Sequence, residues 1–214
     1  MVLTTNDVIT GTAGLLAIWM CGLVRVPMMI RGLAAQTALL ALATMEISVE
    51  QGAPHFMVLG IVVLTVKAIG IPGYLAWASR RLGIQRDGGV MLSPALTLLI
   101  GLGLLAVGYI LAPRFAVPGL GSSGSAGVAL TLMLIGMLLM LTRRLALSQV
   151  IGFLVLENGI FTYSLTQTAG MPLIIEMGVV FDVLVAVLVA GLVIFRLNRS
   201  FEHIDVTQLR GLRH

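Results

Sequence analysis

Ala126-Gly-Val-Ala-Leu-Thr-Leu-Met-Leu-Ile-Gly-Met-Leu-Leu-Met-Leu-Thr142, then Arg143-Arg144, then Leu145-Ala-Leu-Ser-Gln-Val-Ile-Gly-Phe-Leu-Val-Leu-Glu-Asn-Gly-Ile-Phe-Thr-Tyr-Ser-Leu-Thr-Gln167, are two apolar runs joined by two arginines. Each run has the length an α-helix needs to cross roughly 30 Å of hydrocarbon, about 20 residues. A basic pair between two such runs reads as a short loop on the cytoplasmic face.

The alternation continues outward in both directions. Apolar runs broken by Pro, Gly and charge predict spans near 8–24, 32–49, 56–78, 95–112, 126–142, 145–167 and 172–195. The expected fold is therefore all-α, a polytopic transmembrane bundle of about seven helices. Of the 214 residues, 58% are hydrophobic and 10% charged, against about 25% charged in a soluble domain. No soluble domain of any size fits. The segment Met1-Val-Leu-Thr-Thr-Asn-Asp7 lacks the basic start of a signal peptide, so the first run is expected to stay as a helix. Ile71-Pro72-Gly73 falls inside the third run, where the proline is expected to bend it.

Charge sets the orientation. Arg25 and Arg31, Arg80, Arg81 and Arg86, Arg143 and Arg144, and Arg196, Arg199, Arg210 and Arg213 all fall on one side of such a bundle. Arg114 sits opposite, and Lys67 lies within a span. Basic loops stay cytoplasmic, which predicts the N-terminus outside and the C-terminus inside. The net charge of +4 is thus accounted for by topology, and nucleic acid is not an expected partner.

Gly119-Leu-Gly-Ser-Ser-Gly-Ser-Ala-Gly127 has no Lys-Ser/Thr after it, so it reads as a flexible outer link rather than a phosphate cradle. It divides the chain into a four-helix part at 1–118, the loop at 119–127, a three-helix part at 128–197 and a cytoplasmic tail at 198–214. In the tail, Asp205-Val-Thr-Gln208 with Leu209 and Leu212 reads as the start of a short helix. The single Cys21 excludes a disulfide and a cluster held by several cysteines of this chain. His55, His203 and His214 offer no pair to grip a haem inside the membrane. The chain is expected to hold no metal and no cofactor of its own.

Charges within a bilayer are costly unless paired or wetted, so each is a functional candidate. Counted from the nearest cytoplasmic arginine, Glu46 is 15 residues from Arg31, Lys67 is 13 from Arg80, Glu157 is 13 from Arg144 and Asp182 is 14 from Arg196. At about 1.5 Å per residue all four are expected roughly 20 Å deep. Groups at one depth suit a lateral proton path. A buried ion pair between Lys67 and one carboxylate that only holds helices together is the structural alternative. Glu50 and Glu176 lie nearer the outer ends and read as rim carboxylates. Glu176 and Asn158 are secondary candidates; Asn158, Gln36, Tyr163 and Ser164 could relay protons or simply join helices.

Ile151-Gly-Phe-Leu-Val-Leu-Glu157-Asn-Gly, Asp182 with its apolar run to Arg196, and His203-Ile-Asp-Val-Thr-Gln-Leu-Arg210 resemble the three-helix K subunit of respiratory complex I. In that subunit the last two helices each carry a membrane-embedded glutamate. Glu157 matches the first; Asp182 falls at the second, with aspartate for glutamate. With the extra N-terminal helices, the chain resembles component E of hydrogenase-4 and of formate-hydrogenlyase-type membrane-bound hydrogenases. Phe153-Leu-Val-Leu-Glu-Asn-Gly-Ile-Phe161 and Pro172-Leu-Ile-Ile-Glu-Met-Gly-Val-Val-Phe-Asp182 carry this most specifically.

The resemblance implies a non-catalytic subunit of a complex-I-like energy-converting oxidoreductase in a prokaryotic inner membrane. It would bridge a membrane-anchor subunit and large antiporter-like subunits. A peripheral hydrogenase-like arm would hold the [NiFe] centre and the iron-sulfur clusters. Glu157 and Asp182 would carry protons or ions, Lys67 would tune a neighbouring acid, and Glu46 would extend the line. The alternatives are a subunit of a related cation antiporter or other ion-translocating complex without hydrogenase, a self-sufficient ion transporter, and a passive assembly scaffold.

Overall fold

The computed structural model describes residues 5–88 and 91–167, together with 185, 187, 189 and 191. Among them are six helices and no strand: α1 (Thr5–Cys21), α2 (Val26–Gln51), α3 (Pro54–Arg81), α4 (Pro94–Phe115), α5 (Ser123–Thr142) and α6 (Ala146–Gln167). All but α1 are long and apolar enough to cross a membrane. Most of the seventh expected span, 172–195, lies outside the described residues, as do Asp182 and Glu176; residues 185, 187, 189 and 191 are helical. The described residues thus hold six numbered helices and four helical positions within the expected seventh span.

Two boundaries differ instructively from the sequence reading. The second helix was expected to begin at 32, with Arg31 as its flank, yet α2 begins at Val26 with Pro27 in its first turn. Proline is suited to that position, where its missing N–H is not needed and its fixed φ is already helical. Arg31 therefore lies inside the helix. At the other end Gly52 adopts φ 63° and its N–H bonds to the carbonyl of Ser48, a left-handed close that glycine allows without strain. Ala53 follows, and Pro54 opens α3.

The proline inside α3 widens the helix. Residues Val63–Gly70 are wound as π-helix, and the N–H of Ile71 bonds to the carbonyl of Val66. Pro72 has no N–H to give the carbonyl of Ala68 and its ring crowds that carbonyl, so the preceding turns open to accommodate it. Such stretches are rare in helices, and this one carries Lys67.

The helices share a main core, beside a smaller apolar cluster of Ile47, Phe56 and Leu165. Ala17, Met20, Met29, Leu33, Leu132, Leu139 and Ile151 are buried in the main core, with Val185 and Val189 added from the C-terminal helical residues. Val185 and Val189 also line an apolar recess of about 160 Å³ with Val66, Gly70, Ile71, Tyr74 and Leu75 of α3. The outward faces of α3 and α4 are apolar, with Val58, Ile61, Ile69, Leu99 and Ile110 exposed. Hydrocarbon or partner helices would cover such faces.

Of all the pairs, α5 and α6 pack most extensively, and glycine is the reason. A Cβ on Gly152 would lie 2.8 Å from the backbone N of Met140, and one on Gly159 would lie 2.7 Å from that of Met133. Small residues that let backbones approach are a main source of helix association in lipid. Gly152→Leu is expected to separate the pair, since forcing volume into a packed contact costs about 1–3 kcal/mol or more. Thermal denaturation in detergent should show a lower midpoint for Gly152→Leu and an unchanged one for Gly103→Leu, whose site is open.

Candidate functional site

Lys67 from α3 meets Glu157 from α6 with Nζ 2.7 Å from Oε1. The side chains are 11% and 5% exposed, so the pair is internal. Both residues lie at the midpoints of their helices. Lys67 Nζ also lies 5.9 Å from the ring centroid of Phe161, one turn beyond Glu157, within cation–π range. The second carboxylate oxygen, Oε2, is buried without a hydrogen-bond partner among the described residues.

The next residue extends the polar level to two more helices. Asn158 donates Nδ2 to Thr37 Oγ1 at 2.9 Å and to Gln36 Oε1 at 3.2 Å. Gln36 in turn donates Nε2 to the carbonyl of Ala13 in α1 at 3.2 Å. Gln36, Thr37 and Asn158 are all buried. Four helices thus contribute polar atoms to one level, where each satisfies a neighbour's desolvated donor or acceptor. Tyr163 instead reaches out to the carbonyl of Phe115.

Glu46 does not share that level, which corrects the common-depth expectation. A Cβ on Gly60 would lie 3.1 Å from the carbonyl of Ala41 and 3.3 Å from the N of Met45, which sets the register of α3 against α2. Lys67, seven residues along α3, comes level with Gln36. Glu46 is nine residues beyond Thr37, roughly 14 Å at about 1.5 Å per residue. Its depth was counted from Arg31, which lies inside α2 rather than at its start. Glu46 is half-buried, and its Oε2 is also buried without a hydrogen-bond partner among the described residues.

Each end of the bundle is tied by its own polar set. At the end that carries the turn at Ser122, Ser122 Oγ donates to Asp7 Oδ1 at 2.7 Å and caps α5 through the N–H of Ser125. Gln167 Nε2 donates to Ser125 Oγ, and its Oε1 accepts from the N–H of Val117. The glycine- and serine-rich segment expected as a flexible link is therefore pinned, and α5 begins within it at Ser123.

At the opposite end Arg143, read from sequence only as a topology signal, is 1% exposed. Its Nη2 donates to the carbonyl of Cys21 at 3.0 Å, while Nε and Nη1 are buried without a hydrogen-bond partner among the described residues. Burial pulls the guanidinium below its ordinary range, and the nearby charge of Asp87 opposes that pull. Asp87 is itself buried, in a loop whose N–H at 87 bonds to the carbonyl of Val24. Sequence reasoning missed this cluster. The available signal was that Asp87 is the one acid among the basic residues of the loops at 22–25, 82–93 and 143–145.

These features define a polytopic helical membrane protein with a charged pair at the centre of its bundle. No family model matches the chain, and no solved structure matches it. The chain belongs to the family of the uncharacterized protein Rv0085 of Mycobacterium tuberculosis, to which it is 35% identical over 187 residues, 86% of this chain and 84% of that protein. It is more distantly similar to hydrogenase-4 component E of Escherichia coli strain K12, at 26% identity over 148 residues, 69% of this chain and 68% of that protein. The component E of Shigella flexneri matches to the same extent.

Proposed function

We propose that this chain is a non-catalytic membrane subunit of a complex-I-like energy-converting oxidoreductase of hydrogenase or formate-hydrogenlyase type. In this reading Lys67–Glu157 is a titratable station on a lateral proton or ion path, and Asp182 is a second station. Glu46, set well away from the pair, acts as an outlying acid rather than a member of the central row. The observation that carries the reading is the ion pair buried at mid-bundle, in a chain similar to hydrogenase-4 component E. Ionisable groups at such a depth are expensive and are found where ions move. The apolar faces of α3 and α4 suit contact with lipid, an anchor subunit and antiporter-like subunits. The metal centres belong to a peripheral arm of partner subunits.

The test is ion translocation by the complex in proteoliposomes. Neutralising Glu157 should abolish it without dissociating the complex; translocation at wild-type stoichiometry would refute the role. The proposed orientation, N-terminus outside and C-terminus inside, is tested separately in a Cys21→Ser background. Ser123→Cys should react with an impermeant thiol reagent from the periplasmic side and Arg144→Cys from the cytoplasmic side, both positions being exposed. The opposite pattern would invert the topology.

A further inference from the structure

The two halves of the bundle differ in what they bury, and the Lys67–Glu157 pair sits at the boundary. From the pair toward the Ser122 end, the buried side chains include Thr37, Thr44 and Ser48 of α2, Thr131 of α5, and Thr162 and Ser164 of α6. Several of these hydroxyls bond the carbonyl one turn back, as Thr44 does to Leu40 and Thr162 to Asn158, which leaves their oxygens able to accept from water. Toward the Arg143 end the interior changes character. Along residues 14–20 of α1, 29–35 of α2, 136–141 of α5 and 149–156 of α6, no buried side chain is polar. Leu33, Leu139, Ile151 and Leu154 fill that layer, which is roughly 10 Å thick at about 1.5 Å per residue. Beyond it lies the Arg143 cluster.

Water enters a protein interior where polar groups offer it two or more partners, and stays out of apolar layers. We infer that protons reach the Lys67–Glu157 pair from the Ser122 end of the bundle, and that the apolar layer seals the pair from the Arg143 end. A proton delivered through the polar half adds to the Glu157 carboxylate, whose Oε2 is buried without a hydrogen-bond partner among the described residues. The Lys67 ammonium keeps its own protons, and the pair's attraction is lost until the proton leaves. Among the described residues, Lys67 of α3 is the charged group that meets Glu157. α2 brings the uncharged Gln36 and Thr37 to that level, α1 brings the Ala13 carbonyl, and α5 contains no ionisable residue.

This inference rests on the functional reading of the pair, yet the two can fail separately. The experiment uses the intact complex in sealed vesicles whose orientation is scored by labelling of Ser123→Cys. Infrared difference spectra follow the protonated carboxyl band that the Glu157→Gln complex lacks. A pH jump in the compartment facing the Ser122 end should shift the band promptly. The same jump at the Arg143 end should shift it only as fast as the vesicle leaks protons. Thr162→Val should slow the prompt response several-fold. Conversely, Ile151→Asn should breach the seal and make the band respond promptly to the Arg143 side. A band in the wild-type complex that follows the Arg143 side, both sides equally or neither would overturn the inference. If the band follows the Ser122 side but Glu157→Gln still translocates ions, the path stands and the functional reading falls.

Discussion

On the proposed function, a complex carrying Glu157→Gln is expected to assemble and to pass electrons from its peripheral arm to an artificial acceptor at the wild-type rate, while ion translocation falls to the level of protein-free liposomes. Glutamine keeps the volume of the side chain and can still accept from Lys67 through its amide oxygen, so the 2.7 Å contact has a neutral replacement. What is lost is the ability to take up and release a proton. A residue that served only to hold α3 against α6 would tolerate this change, because an amide and an ammonium still bond. Asp182→Asn should behave in the same way, and where the reaction is tightly coupled, physiological turnover should fall with translocation. Glu50→Gln, at an exposed position near the end of α2, should change neither. Pumping by both neutral variants at wild-type stoichiometry would make the acids structural.

Removing the other partner should do the reverse. Lys67→Met keeps the length of the side chain but leaves a carboxylate, 5% exposed, without its cation. Breaking a buried pair from one side costs about 3–5 kcal/mol, far more than the pair contributes as a whole, because the surviving charge is stranded. The Lys67→Met complex should therefore be recovered in much lower yield and melt well below wild type in detergent. Adding Glu157→Gln to it should restore most of the loss. If the single variant is as stable as the double, the two residues are not coupled in the assembled protein.

The helical membrane character was legible because composition and run length leave no other way to satisfy the backbone in hydrocarbon. What the linear pattern misjudged was where helices start. Arg31 looked like a boundary, whereas Pro27, four residues earlier, opens α2 in fact. That one misplacement carried Glu46 into the central row, since its depth was counted from the wrong origin. Lys67 and Glu157 were legible as ionisable groups at similar depth. Their direct contact was not, because which faces of α3 and α6 meet is decided by tertiary packing and by the π-helical turns ahead of Pro72. Asp87 and Arg143 were invisible for a related reason. Their significance depends on three loops folding over one another, and loop closure leaves no periodicity to read. The seam of glycines between α5 and α6 left its residues in plain view, but their role appears only when Gly152 is set against Met140 and Gly159 against Met133.

The bond from Arg143 to the carbonyl of Cys21 spans 122 residues, and this bears on biosynthesis. The carbonyl at the end of α1 has to wait for the α5–α6 turn to be made before it meets this donor. At a synthesis rate of roughly 5–20 residues per second the interval is on the order of ten seconds. Throughout that time the first helix is inserted with a terminal acceptor still open, and water, the insertion machinery or a lipid headgroup must serve it. Delivery of Arg143 then draws the first helix to the fifth and sixth, so the order of translation is written into the order in which the bundle can close.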